Sequence, residues 1–156
     1  MLDIVLFEPE IPANTGNIIR LCANTGAHLH LIQPLGFELD DKRLRRAGLD
    51  YHEWVNIRQY ACLDDYLGRA KPKRLFAMTT KGTVVYSKVV FQAGDALLFG
   101  PESRGLPADF LDSHPDVLKL YLPMRQESRS LNLSNTVSIA LYHAWAQLGF
   151  QGALIK

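Results

Sequence analysis

Ala96-Leu97-Leu98-Phe99-Gly100-Pro101-Glu102-Ser103-Arg104-Gly105-Leu106-Pro107 is the stretch on which the reading of the fold turns. Four apolar residues stop at Gly and Pro, the pattern of a buried strand that ends in a tight loop. The pattern recurs from Val117 to Pro123, which leads into Ser128-Arg129-Ser130-Leu131-Asn132-Leu133-Ser134-Asn135. Helical spacing then runs from Ser134 to Gly149, with Val137, Leu141, Ala144, Trp145 and Leu148 on one face. A third such strand end is Leu75-Phe76-Ala77-Met78, followed by Thr79-Thr80-Lys81-Gly82. In open α/β sheets, ligands sit outside the carboxyl ends of strands, on loops of this kind.

Upstream, Leu2 to Phe7 predicts a strand buried on both faces, as in a parallel sheet. Asn14 predicts an N-cap, with a helix from Thr15 to Thr25 that stops at Gly26. Asn17, Arg20 and Asn24 share the polar side of that helix, either as a solvated face or as a functional one. His28 to Ile32 predicts a second strand, with His28 and His30 as structural residues because nothing near them in sequence pairs with them. Asp40 predicts a cap for a short helix carrying Lys42, Arg43, Arg45 and Arg46, which reads either as a phosphate-contacting cluster or as a solvated face. Val55-Asn56-Ile57 predicts a short strand, Leu63 to Ala70 a helix, and Pro107 to Leu111 a short helix. Arg69, Lys71, Lys73 and Arg74 read as a soluble turn, and Thr83 to Phe91 is ambiguous.

Strands alternating with helices predict an α/β fold with a mostly parallel sheet flanked by helices. One domain over residues 1–156 follows from the length. The net charge of +1 excludes a global basic field, so any nucleic-acid contact must be local. Cys22 and Cys62 match no metal-ligand spacing, which points to a reducing compartment and no metal. No signal peptide or membrane span is expected, so the expected location is cytoplasmic.

Three segments, in order, carry a family resemblance. Asn14-Thr15-Gly16-Asn17-Ile18-Ile19-Arg20, Leu98-Phe99-Gly100-Pro101-Glu102-Ser103-Arg104-Gly105 and Ser130-Leu131-Asn132-Leu133-Ser134-Asn135 resemble the three motifs of the SpoU branch of the SPOUT RNA methyltransferases. Length and ends resemble its minimal members, which methylate the wobble ribose of tRNA. The resemblance implies a single SPOUT domain with a C-terminal trefoil knot, which general topology rules make very improbable. It implies S-adenosylmethionine as methyl donor, the tRNA anticodon loop as partner, and a homodimer in which Arg20 of one chain completes the site of the other. It also implies cofactor contacts at Met78, Gly100, Leu122 and Ser130. The catalytic positions it transfers are Arg20, Asn14, Glu102, Ser130 and Asn132. A guanidinium is effectively always protonated, so Arg20 suits a phosphate grip better than a base role. Glu102 either fixes loop geometry or orients Arg20. Ser130 and Asn132 can combine helix capping with cofactor contact.

Rival readings differ in kind. An RNA-binding module without catalysis is supported by Lys42 to Arg46 alone. A nucleotide hydrolase needs a Gly-rich phosphate loop ending in Lys-Ser or Lys-Thr, which the loop before the first helix lacks. Within the methyltransferases, the alternative is 2′-O-methylation at another tRNA or rRNA position.

Overall fold

In the computed structural model, residues 1–54 and 56–156 are described. Among these residues seven strands form one sheet: β1 (Asp3–Phe7), β2 (His28–Ile32), β3 (Arg58–Tyr60), β4 (Leu75–Met78), β5 (Val84–Val85), β6 (Ala96–Phe99) and β7 (Leu118–Tyr121). Their order is β3-β2-β1-β6-β4-β7-β5, and every pair is parallel. Six α-helices lie among the described residues, five between strands and the last after β7: α1 (Pro12–Thr25), α2 (Asp41–Arg46), α3 (Tyr51–Trp54), α4 (Leu63–Ala70), α5 (Ala108–Ser113) and α6 (Leu133–Gln147).

Side chains of a strand alternate between faces, and the apolar runs therefore supply two cores. Ile4, Leu6, Leu97 and Phe99 pack on one face with Ile18 and Ile19 of α1 and Val137 and Leu141 of α6. Val5, Leu98 and Ala77 pack on the other with Tyr66 of α4 and Phe110 of α5. Each buried Leu or Ile contributes about 2 kcal/mol of transfer free energy, so a double-sided run such as Val5–Phe7 anchors both layers.

Most predicted elements lie where the patterns place them, and the departures have local causes. α1 begins at Pro12, not Thr15, and Asn14 is inside the helix and buried. Pro suits a first helical position because its missing N–H has no partner there. Ile11 holds the N-cap position without a side-chain cap, and the carboxylate of Glu102 supplies one instead. The strand expected at Val55–Ile57 is displaced: β3 begins at Arg58, and Val55 lies outside the described residues. The ambiguous segment Thr83–Phe91 holds β5 and one turn of 3₁₀ helix, Tyr86–Lys88.

His30 is structural, but it has partners. Its Nε2 lies 2.7 Å from Asp3 Oδ1 and its Nδ1 lies 2.8 Å from the Tyr60 hydroxyl. His28 also meets Asp3, at 3.2 Å. Arg74, read as part of a soluble turn, instead forks onto the buried carboxylate of Asp95 at 2.8 and 2.5 Å. No helix among the described residues is long and apolar enough to cross a membrane.

Candidate active site

The carboxyl ends of β4, β6 and β7 open into a cleft of about 760 Å³. Met78, Gly100, Leu122 and Ser130, the four expected cofactor contacts, all line it. So do Asn14, Glu102 and Asn132. Met78, Phe99 and Leu122 give it an apolar wall, and the loops after β6 and β7 give it a rim rich in backbone donors and acceptors. The volume is in the range of small-ligand sites, roughly 300–1,000 Å³. An apolar slot beside backbone polar groups fits the adenine and ribose of an adenosine cofactor.

The loop after β6 is shaped by the protein's own backbone. A Cβ on Gly100 would lie 2.4 Å from Gly105 C and from Leu106 N. Gly100 is therefore required by the closure of its own loop. Gly105, at φ +66°, closes the same turn, and its N–H donates to Pro101 O at 3.0 Å.

Hydrogen bonds join the three sequence motifs. Asn132 Nδ2 donates to Asn14 Oδ1 at 3.1 Å, and Asn14 Nδ2 donates to Glu102 Oε2 at 3.2 Å. The Glu102 carboxylate also accepts the N–H groups of Glu10 (2.9 Å) and Ile11 (2.7 Å), at the positive end of α1. Asn132 caps α6 through Oδ1, which accepts from Ser134 N at 2.9 Å and Asn135 N at 3.3 Å. One side chain thus caps a helix and reaches the adjoining motif. Among the described residues the hydrogen-bond partners of Glu102 are Glu10, Ile11 and Asn14, and Arg20 is not among them.

A reciprocal clasp, unforeseen in the sequence, reinforces this. Glu10 accepts from Ser103 N at 2.8 Å and Ser103 Oγ at 2.9 Å. These two bonds hold its carboxyl below the usual range. Arg104 pairs with Glu8 at 3.2 Å. The β1–α1 loop and the β6–α5 loop are tied in both directions. The sequence offered a signal in the acids Glu8 and Glu10 before Pro12, but only the fold reveals what they face.

Arg20 does not line the cleft. Six residues beyond Asn14, it lies about 9 Å further along α1 and roughly 120° around it. Its guanidinium meets Glu53 of α3 instead, and the hydrogen bond and charge of Glu53 raise its pKa further. Of the basic helix, Arg43 is committed to Asp40 and Glu38. Lys42, Arg45 and Arg46 form no ion pair among the described residues. Two cations that sequence reasoning passed over, Arg125 and Arg129, line the cleft and are exposed. Their place beside Ser130, in the loop after β7, was the available signal.

Asp50, His52 and Glu53 bring ligand atoms within 4.8 Å of one another. The Glu53 carboxylate is engaged by Arg20, which accounts for its position without an ion.

Comparisons with known proteins agree with this geometry. Residues 1–142 match the model of the SpoU rRNA Methylase family. A protein of Yersinia pestis named tRNA (cytidine(34)-2′-O)-methyltransferase is 63% identical over 161 residues, covering 100% of this chain and 99% of its own. A solved structure described as giving insights into 2-OH methylation of C/U34 on tRNA superposes with a TM-score of 0.87. It is 44% identical, with 96% of this chain and 97% of that one covered. A SpoU methyltransferase of Streptomyces viridochromogenes in complex with AdoMet superposes at 0.77, covering 95% of this chain and 60% of its own. At 21% identity, that is a likeness of fold.

Proposed function

The chain belongs to the SpoU methylase family, and from that premise we propose that it transfers a methyl group from S-adenosylmethionine to the ribose 2′-hydroxyl of a tRNA wobble nucleotide, cytidine or uridine 34. The observation that carries the reading is the joining of the three motifs at one cleft through Asn14, Glu102 and Asn132. The Yersinia relative, similar over the full chain, supports the substrate.

Met78, Gly100, Leu122 and Ser130, which line the cleft, would hold the cofactor. The bound donor supplies an already activated methyl group, so the protein's task is placement. Asn14 and Asn132 fix the geometry of the floor, and Glu102 locks it to the first turn of α1. Arg20 remains protonated throughout and grips a phosphate beside the target ribose. Because Arg20 faces away from its own chain's cleft, the working unit is a homodimer in which each protomer's Arg20 serves the other's site. Exposed Ile139 and Tyr142 on α6 support a covered apolar face.

Arg125 and Arg129 at the cleft, with Lys42, Arg45 and Arg46 on α2, contact the anticodon-loop backbone. Single-stranded loops offer splayed nucleotides to so compact a catalyst. The full chain forms one SPOUT unit with its trefoil knot. Gln147 ties α6 to the segment between β4 and β6, accepting from Phe91 N (2.7 Å) and donating to Val89 O (3.0 Å). Two free cysteines, one buried with its thiol pKa pushed up to about 12, suit a reducing cytoplasm. Labelled S-adenosylmethionine with unmodified tRNA tests the reading. It requires label in ribose, and label in a base or in no RNA at all contradicts it.

A further inference from the structure

Arg20 stands on an exposed helix face, yet its head group is held in one orientation. Nε donates to Glu53 Oε2 at 2.9 Å, and Nη2 donates to Glu53 Oε1 at 3.3 Å and to the carbonyl of Gly48. Glu53 is the anchored partner. Its side chain is 7% exposed against 49% for Arg20, and its Oε1 also accepts Asp50 N at 2.8 Å. A guanidinium has five N–H donors in a planar fork. The three on the Nε–Nη2 edge are occupied, while both donors of Nη1 make no hydrogen bond among the described residues.

We infer that Glu53 is the positioning residue for Arg20, gripping one edge of the guanidinium so that the Nη1 end is presented to an RNA phosphate beside the target ribose. This rests on the reading of Arg20 as the phosphate clamp. A free arginine would lose its rotamer freedom on binding RNA, whereas here that freedom is given up on folding. The carboxylate also partly neutralises Arg20, so it contributes orientation rather than overall affinity for phosphate. Removing it therefore affects kcat more than KM.

The test uses the full chain, tritiated S-adenosylmethionine and tRNA from a strain lacking the enzyme. Glu53→Gln keeps the shape and removes the charge; Glu53→Asp is the second variant should the first fail to fold. In whichever variant folds, the inference expects kcat to fall about tenfold or more with the tRNA KM within about threefold. It also expects unchanged cofactor affinity by calorimetry and a shifted Arg20 Nε–Hε NMR signal. An inactive Arg20→Ala beside a fully active Glu53 variant overturns the inference and leaves the proposed function standing. A fully active Arg20→Ala overturns the clamp reading and the inference with it. Equal loss of kcat, cofactor affinity and melting temperature in both Glu53 variants assigns Glu53 a purely structural role and overturns the inference.

Discussion

Asn132 donates from Nδ2 to Oδ1 of Asn14 at 3.1 Å, across 118 residues of chain, and its own Oδ1 caps the last helix. The two halves of the side chain do separable work. Asn132→Ser keeps a capping oxygen and discards the amide, so its folding stability should stay within about 0.5 kcal/mol of the parent's. Methyl transfer should fall at least tenfold, because an amide link across the site geometry is lost. Asn132→Ala should lose the cap as well, at about 1 kcal/mol. Parallel thermal melts and single-turnover assays check both variants.

Gly100→Ala should destabilise the chain by about 2 kcal/mol, since its Cβ meets the fixed backbone of Gly105 and Leu106. Cofactor affinity should fall with it, as the loop opens. Gly16→Ala is the contrast. Gly16 lies within α1 and an added Cβ meets nothing within 4 Å, so this variant should gain about 0.5–1 kcal/mol. Denaturant titration and calorimetry measure the pair.

The Glu10–Ser103 clasp should respond to acid. Hydrogen bonds from the Ser103 hydroxyl and amide depress the folded-state pKa of Glu10 below its ordinary 4.5. A depressed carboxyl contributes stability that is complete above the unfolded-state pKa and lost as pH falls through the folded-state value. The clasp should therefore be intact from neutral pH down to about 4.5 and release only below it. The Ser103 amide shift, followed by NMR, should titrate in that acid window and become flat in Glu10→Gln.

Arg125 and Arg129 should contribute to RNA affinity through phosphate charge. Replacing both with Ala should weaken tRNA binding and lower the slope of log K against log salt by about 1.4–1.8, from two lost counterion releases. Arg43→Ala should change the slope less, because Arg43 is already paired with Asp40 and Glu38. Filter binding over a salt series distinguishes them.

Much of this architecture was legible in the residues. The apolar runs at β4 and β6 read as buried strands and that at β1 as buried on both faces, and the two cores divide Ile4 and Leu6 from Val5 and Phe7 accordingly. Asp40 and Gly26 cap where local chemistry demands. Asn14 misled because a good capping residue near Pro12 looks the same whether it caps or packs, and the actual cap, Glu102, is some ninety residues away. β3 was displaced because the Val55–Ile57 run is short, and strand pairing with β2 sets its register at Arg58. The clasp of Glu10 with Ser103 and the grip of Glu53 on Arg20 join distant segments, and such contacts leave no local periodicity to read.

Methyl mapping in tRNA tests the central claim most directly. Transfer RNA from a strain lacking this protein, and from the same strain carrying the parent or Arg20→Ala chain, is digested with nuclease and sequenced by mass spectrometry. The account predicts a ribose methyl at the wobble nucleotide restored by the parent and not by Arg20→Ala. A restored base methyl, a ribose methyl outside the anticodon loop, or full restoration by Arg20→Ala would contradict it.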